Sequence, residues 1–116
     1  MVNQILRVTF VIAAWLAAIG VASAQDQAQI ERGMKVYGDQ KCSVCHAIAG
    51  KGNPKGALDE VGSRLSADEI REWVINPAEM TKKTKAERKP AMRAYPKLPK
   101  EDVDGLVAYL LSLKKK

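Results

Sequence analysis

Two cysteines three positions apart, with a histidine directly after them, constrain this chain more than any other feature. Cys42-Ser43-Val44-Cys45-His46 contains its only cysteines and its only histidine. This is the spacing at which a chain takes a haem covalently: each thiol adds across one vinyl group, and the adjacent imidazole is held below the ring, where a nitrogen reaches the iron. The fold must then wrap a flat apolar macrocycle, starting from this turn. Three other readings compete with it. A structural zinc site wants four Cys or His ligands and would have to borrow carboxylates from elsewhere. A redox-active dithiol normally sits where a strand runs into a helix of a βαβ unit, and no strand pattern precedes Cys42. A plain disulfide is the remaining alternative in an exported chain.

Export is itself legible. Met1 to Arg7 is a short cationic start, Val8 to Val21 gives fourteen mostly apolar residues, and Ala22-Ser23-Ala24 supplies the small side chains of a cleavage site. The apolar run is shorter than the ~20 residues that cross a bilayer as a helix. The expected organisation is a secretory signal peptide at 1–24, cleaved after Ala24, and a single domain at 25–116, located in the periplasm with no permanent membrane span. The 92 residues left by that cut make a small domain of the kind that needs a staple. A macrocycle bonded through two sulfurs serves as both cross-link and core filler.

The domain reads as all-α. Ile30, Gly33, Met34 and Tyr37 recur at the i, i+3, i+4, i+7 spacing of one helix face, with Met34 a core residue and a stop near Gly38. In Leu65-Ser66-Ala67-Asp68-Glu69-Ile70, Ser66 and Glu69 form a capping box, and Leu65 and Ile70 a hydrophobic staple. Ile70, Trp73 and Val74 share a face, and Asn76-Pro77 ends that helix. A last helix begins at the Pro99 turn, carrying Glu101, Asp102 and Asp104 early and Lys114 to Lys116 late, matched to the helix dipole. Its apolar residues, Val103, Leu106, Val107, Leu110, Leu111 and Leu113, cover a wide arc. No strand is expected. Ala47 to Arg64 and Met80 to Pro99 read as long irregular stretches, which in a compact domain need something to lie against. The faces and edge of a haem supply it.

The sixth position of the iron separates an electron carrier from a binder of small molecules. Beyond residue 24 the thioethers are Met34, Met80 and Met92. Met80 falls on a short helical turn after Asn76-Pro77. Met92 lies in Lys89-Pro90-Ala91-Met92-Arg93-Ala94-Tyr95-Pro96, where two prolines stiffen an extended loop. A ligand on such a loop can approach the face opposite His46 without bringing a helix with it, which selects Met92, with Met80 as the fallback. Around Met92, Lys82 to Lys97 holds seven bases against Glu87 alone, in a chain of formal charge +6, or +5 without Arg7 and the rest of the signal. A positive rim there would steer acidic redox partner proteins and speed encounter at low salt. Nucleic acid is not expected as a partner, because an exported haem protein lacking an aromatic-basic platform offers it little beyond charge.

From Gln27 to Leu113 the order of these features resembles the class I, single-haem cytochrome c family. The order runs from a helix with Gly33 and Tyr37 to the Cys42 to His46 motif and a glycine-bearing loop. Trp73 then precedes Asn76-Pro77-Ala78-Glu79-Met80, followed by Pro90-Ala91-Met92 and finally Leu106-Val107-Ala108-Tyr109-Leu110. The resemblance implies a small all-α, cytochrome c-like fold: three to five helices around one covalently bound haem c, with the N- and C-terminal helices packed crosswise near Gly33, Tyr37, Leu106 and Tyr109. It implies thioethers at Cys42 and Cys45, His46 as the proximal iron ligand and Met92 as the distal one. Family members often carry Gly-Pro-x-Leu after the motif, the proline carbonyl accepting the other ring N–H of the histidine. Gly56-Ala57-Leu58 stands here, so Ala57 is expected to offer that carbonyl. By the same resemblance Arg64 and Trp73 bond or cover the haem propionates.

The function so implied is that of an exported monohaem c-type cytochrome that shuttles single electrons between redox proteins by Fe(II)/Fe(III) cycling. It is an electron-transfer protein rather than an enzyme, and a monomer or a subunit of a redox complex, working between a donor dehydrogenase or reductase and an acceptor oxidase or reductase. Two expectations of other classes compete: a haem enzyme or gas-binding sensor with an open or displaceable sixth site, and an exported thiol oxidoreductase with free Cys42 and Cys45.

Overall fold

A computed structural model of the chain describes residue 24 and residues 26–116. All of the expected signal but its last residue therefore lies outside the described residues. Among those described, no helix is long and apolar enough to cross a membrane.

The first helix, α1, runs to residue 39 and covers 26–39 of the described residues, ending one residue past the expected Gly38. It meets the domain through Gly33 and Val36, both buried, and through half-buried Ile30 and Tyr37. Met34 is not part of that face, contrary to expectation: it is 52% exposed. At 100° per residue it stands a quarter-turn round from Gly33, and the neighbouring helix approaches at Gly33, so the buried stripe is centred there.

That neighbour is α5, Lys100–Ser112, which supplies Val103, Leu106, Val107 and Leu110 to the core. A Cβ on Gly33 would collide with the Gly105 carbonyl oxygen and lie 2.6 Å from Tyr109 Cβ, so it is glycine at 33 that lets these backbones touch. Tyr37 meets Tyr109 edge to face, with centroids 6.0 Å apart at 81°, and Arg32 pairs with Asp102 at 2.7 Å. Pro99 begins α5 without a side-chain cap; its carbonyl takes the N–H groups of Asp102 and Val103 at 3.0 and 3.1 Å. Lys114 to Lys116 fall beyond the helix end at Ser112. Lys114 Nζ donates instead to Gly62 O at 2.7 Å, and Gly62 N–H to Leu113 O at 2.8 Å, which ties the short α2, Val61–Arg64, to the end of α5.

Helix α3, Ala67–Ile75, starts as its sequence dictates. Ser66 Oγ accepts from Glu69 N–H, and Glu69 Oε1 accepts from Ser66 N–H, each at 3.2 Å. Ile70 and Val74 are buried against α5, and each such side chain stabilises the fold by about 1.5–3 kcal/mol. Pro77 stops α3 and opens α4, Pro77–Thr84, because a residue without an N–H costs nothing at a helix's first position. The segment after Met80 is thus shorter in loop than expected, since helix continues to Thr84.

The other irregular stretch also contains more than its sequence announces. Ala47–Ile48 (β1) and Lys51–Gly52 (β2) pair antiparallel, Ala47 opposite Gly52 and Ile48 opposite Lys51. The expectation of no strand fails here because two residues a side are too few to show a period-2 pattern. Ala49 and Gly50, at φ of 51° and 77°, make the tight turn between them.

Candidate haem-binding site

The left-handed Lys41, at φ 56°, turns the chain out of α1 into a single 3₁₀ turn, Cys42–Val44. Cys42 O then accepts from Cys45 N–H at 3.2 Å and from His46 N–H at 2.9 Å, which presents two thiols and the imidazole from one loop. Cys42 is half-buried and Cys45 exposed, and both are free thiols. Burial pushes the Cys42 thiol above its ordinary pKa, partly offset by the charge of Arg93.

His46 Nδ1 lies 3.0 Å from Gly56 O. Burial lowers the imidazole pKa, the Gly56 bond opposes that, and Arg88 lowers it further; the ring is neutral at pH 7. A neutral ring with Nδ1–H donating to a carbonyl leaves the Nε2 lone pair free for a metal. The carbonyl belongs to Gly56 rather than to Ala57, which corrects the expectation carried over from Gly-Pro-x-Leu. Ala57 is bridged to Ala47 in parallel register, with Leu58 N–H on Ala47 O at 2.8 Å.

Asn53, absent from the sequence-based set, locks the motif from beneath. Its backbone N–H is shared between Ser43 O at 3.1 Å and His46 O at 2.9 Å, its Nδ2 reaches Val44 O at 3.3 Å, and its Oδ1 accepts from Lys55 N–H at 3.1 Å. Asn ahead of Pro54 marks a turn, and that was the available signal. Arg88 was missed as well: its Nη2 donates to Cys45 O at 2.5 Å across 43 residues of sequence.

Met92 is half-buried in the segment between α4 and α5. That segment is fixed to α3 by Tyr95 N–H on Val74 O at 3.1 Å, and Arg93 stacks over Tyr95 at 5.4 Å. The link from this stretch to the cysteine turn is Arg88, four residues before Met92, whose Nη2 donates to Cys45 O. Met80 is buried on α4, at 6% exposure. Arg64 is exposed at the end of α2 and Trp73 half-buried on α3; among the described residues neither hydrogen-bonds to the Cys42–His46 turn.

A covalent haem fits this set. Two thiols outside any disulfide and a histidine with one nitrogen spare share a loop, and the buried hydroxyl of Tyr37, on the helix that leads into that loop, has no hydrogen-bond partner among the described residues. A buried polar group is seldom left unpaired without a missing neighbour. Zinc gains nothing, since among the described residues no three Cys, His, Asp or Glu side chains gather as a metal-ion cluster.

A family model described as Cytochrome c matches residues 30–114. A curated relative, cytochrome c oxidase subunit 2 of Alkalihalophilus pseudofirmus, is 29% identical over 92 residues, covering 72% of this chain and 25% of that protein. The chain spans about a quarter of the length of that relative. No solved structure matches. The matched segment opens within α1 and closes just past α5, taking in the helix crossing, the haem-attachment motif and the Met92 segment together. Its cofactor is covalently bound haem c, and its chemistry is haem-based electron transfer. The chain therefore belongs to the cytochrome c family, as a small all-α domain.

Proposed function

We propose that this domain is an exported monohaem carrier that takes one electron from a donor protein and hands it to an acceptor, without acting as an enzyme. The observation that carries the reading is the Cys42–His46 turn with its neutral, Gly56-oriented imidazole. In this reading Cys42 and Cys45 hold the haem through thioethers, His46 is the proximal ligand and Met92 the distal one, Met80 being the fallback. Bound there, the haem supplies a one-electron Fe(II)/Fe(III) couple. Thioether ligation favours the ferrous state relative to a second imidazole and keeps dioxygen from the sixth site. The signal at 1–24 is cleaved after Ala24 and the domain works in the periplasm.

The decisive experiment is an absorption spectrum of protein from a host that matures c-type haem, with Met92→Ala and Met80→Ala beside it. Met92→Ala alone should open the iron to carbon monoxide. Equal opening by Met80→Ala, or a mature mass equal to that of the bare peptide, would sink the reading. An unmodified protein that binds carbon monoxide as readily as Met92→Ala is instead a sensor or haem enzyme.

The seven bases between Lys82 and Lys97 support acidic partners, and exchange with such a partner should slow steeply as salt rises. A flat dependence removes steering. The match to part of an oxidase subunit favours one variant, a domain held in a larger redox complex. Size exclusion of native periplasm separates that from a diffusing shuttle.

A further inference from the structure

Between Ala86, whose N–H still bonds Thr81 O at 3.0 Å, and Tyr95, whose N–H bonds Val74 O at 3.1 Å, lie the eight residues 87–94. Among the described residues none of their backbone groups makes a backbone hydrogen bond. Such a stretch would drift from the rest of the fold unless side chains held it. One does: Arg88, four positions before Met92, reaches Cys45 O at 2.5 Å, between the second thiol and His46.

The fold keeps a space for this contact. A Cβ on Gly56 would collide with both Arg88 Nη1 and Cys45 O, and would stand 2.9 Å from His46 Nδ1. Glycine at 56 therefore lets the guanidinium settle against the same few atoms that orient the imidazole. Four residues span at most about 14 Å, so pinning residue 88 beside the proximal turn confines where Met92 can go. With Tyr95 fixed on the other side, the free span around Met92 shortens, and the entropy lost on holding its thioether at one point falls accordingly.

We propose that Arg88 is a positioning residue for the distal ligand, a brace that fastens the Met92 segment to the haem-attachment turn through Cys45 O. It rests on the reading of Met92 as the iron ligand. The brace acts on the ligand equilibrium rather than on the helical frame, since Arg88 is exposed and lies outside every helix.

The test is imidazole titration of the ferric holoprotein, followed by absorbance, because added imidazole competes with the thioether for the sixth site. Arg88→Ala should bind imidazole about tenfold more tightly than the unmodified protein, with a weakened thioether-to-iron charge-transfer band. Arg88→Lys, which keeps one donor and the charge, should recover part of that change. Lys89→Ala, which removes a neighbouring exposed cation, should match the unmodified protein. Met92→Ala should exceed them all. If Met92→Ala leaves imidazole affinity unchanged, the ligand reading fails. If Met92→Ala raises it while Arg88→Ala does not, or if Lys89→Ala raises it as much as Arg88→Ala, the brace is overturned and the ligand reading stands.

Discussion

Replacing Gly33 by alanine tests whether the α1–α5 crossing holds this domain together. Two effects oppose each other. Alanine in a helix interior is favoured over glycine by about 1 kcal/mol. Against that, the new methyl would overlap the Gly105 carbonyl and lie 2.6 Å from Tyr109 Cβ, and neither obstacle is the free end of a flexible side chain. The helices must separate, loosening the Tyr37–Tyr109 contact and the packing around Val36 and Leu106. Overpacking of this kind costs about 3 kcal/mol at the upper end of its usual range, leaving a net loss of about 2 kcal/mol. In a domain of this size that lowers Tm by roughly 8–16 °C. Gly105→Ala is the internal control: its methyl would meet Gly33 N at 3.1 Å and the Arg32 side chain at 3.2 Å. Those are milder contacts, which the propensity gain largely offsets. Thermal melts of the two holoproteins, followed at 222 nm, check the order. A Gly33→Ala variant that melts within 2 °C of the unmodified protein, or above Gly105→Ala, would refute the reasoning.

Two further outcomes are expected. Ser66→Ala removes the side-chain half of the α3 capping box and should cost about 1 kcal/mol, read as a lower urea midpoint with unchanged slope; no shift in midpoint would mean the cap contributes nothing. Tyr37 should add a pH dependence at the alkaline end. Burial pushes its phenol up to about 12, against 10.0 for an ordinary tyrosine. The folded state thus holds this proton more tightly, and the resulting stability is whole below pH 10 and lost as pH climbs towards 12. The stability difference between the unmodified protein and Tyr37→Phe should be flat below pH 10 and move in favour of Tyr37→Phe above it; a flat difference throughout would contradict the burial argument.

Much of the frame was legible because its signals are local. The capping box at Ser66 and Glu69, the Asn76-Pro77 break and the Pro99 start each act within one turn of chain, and each stands where its chemistry puts it. The motif at Cys42 is local too. What escaped is what depends on meeting something distant in sequence. Met34 has the right spacing for a core residue, but which flank of α1 is covered depends on where α5 crosses it. Gly105 pairs with Gly33 across more than seventy residues, and Arg88 finds Cys45 across 43. The shift from Ala57 to Gly56 as the histidine's acceptor, by contrast, is a matter of register that the sequence carries: in Gly-Pro-x-Leu the proline stands two positions before the leucine, and counted back from Leu58 that position is Gly56.

The Asn53 contacts have a bearing on how the attachment turn holds its shape. Asn53 gives its N–H to Ser43 O and His46 O, and its own carbonyl takes the N–H of Gly56 at 3.1 Å. The imidazole and the carbonyl that orients it are thus tied to one residue, so a displacement of this loop carries both together and leaves their mutual geometry intact.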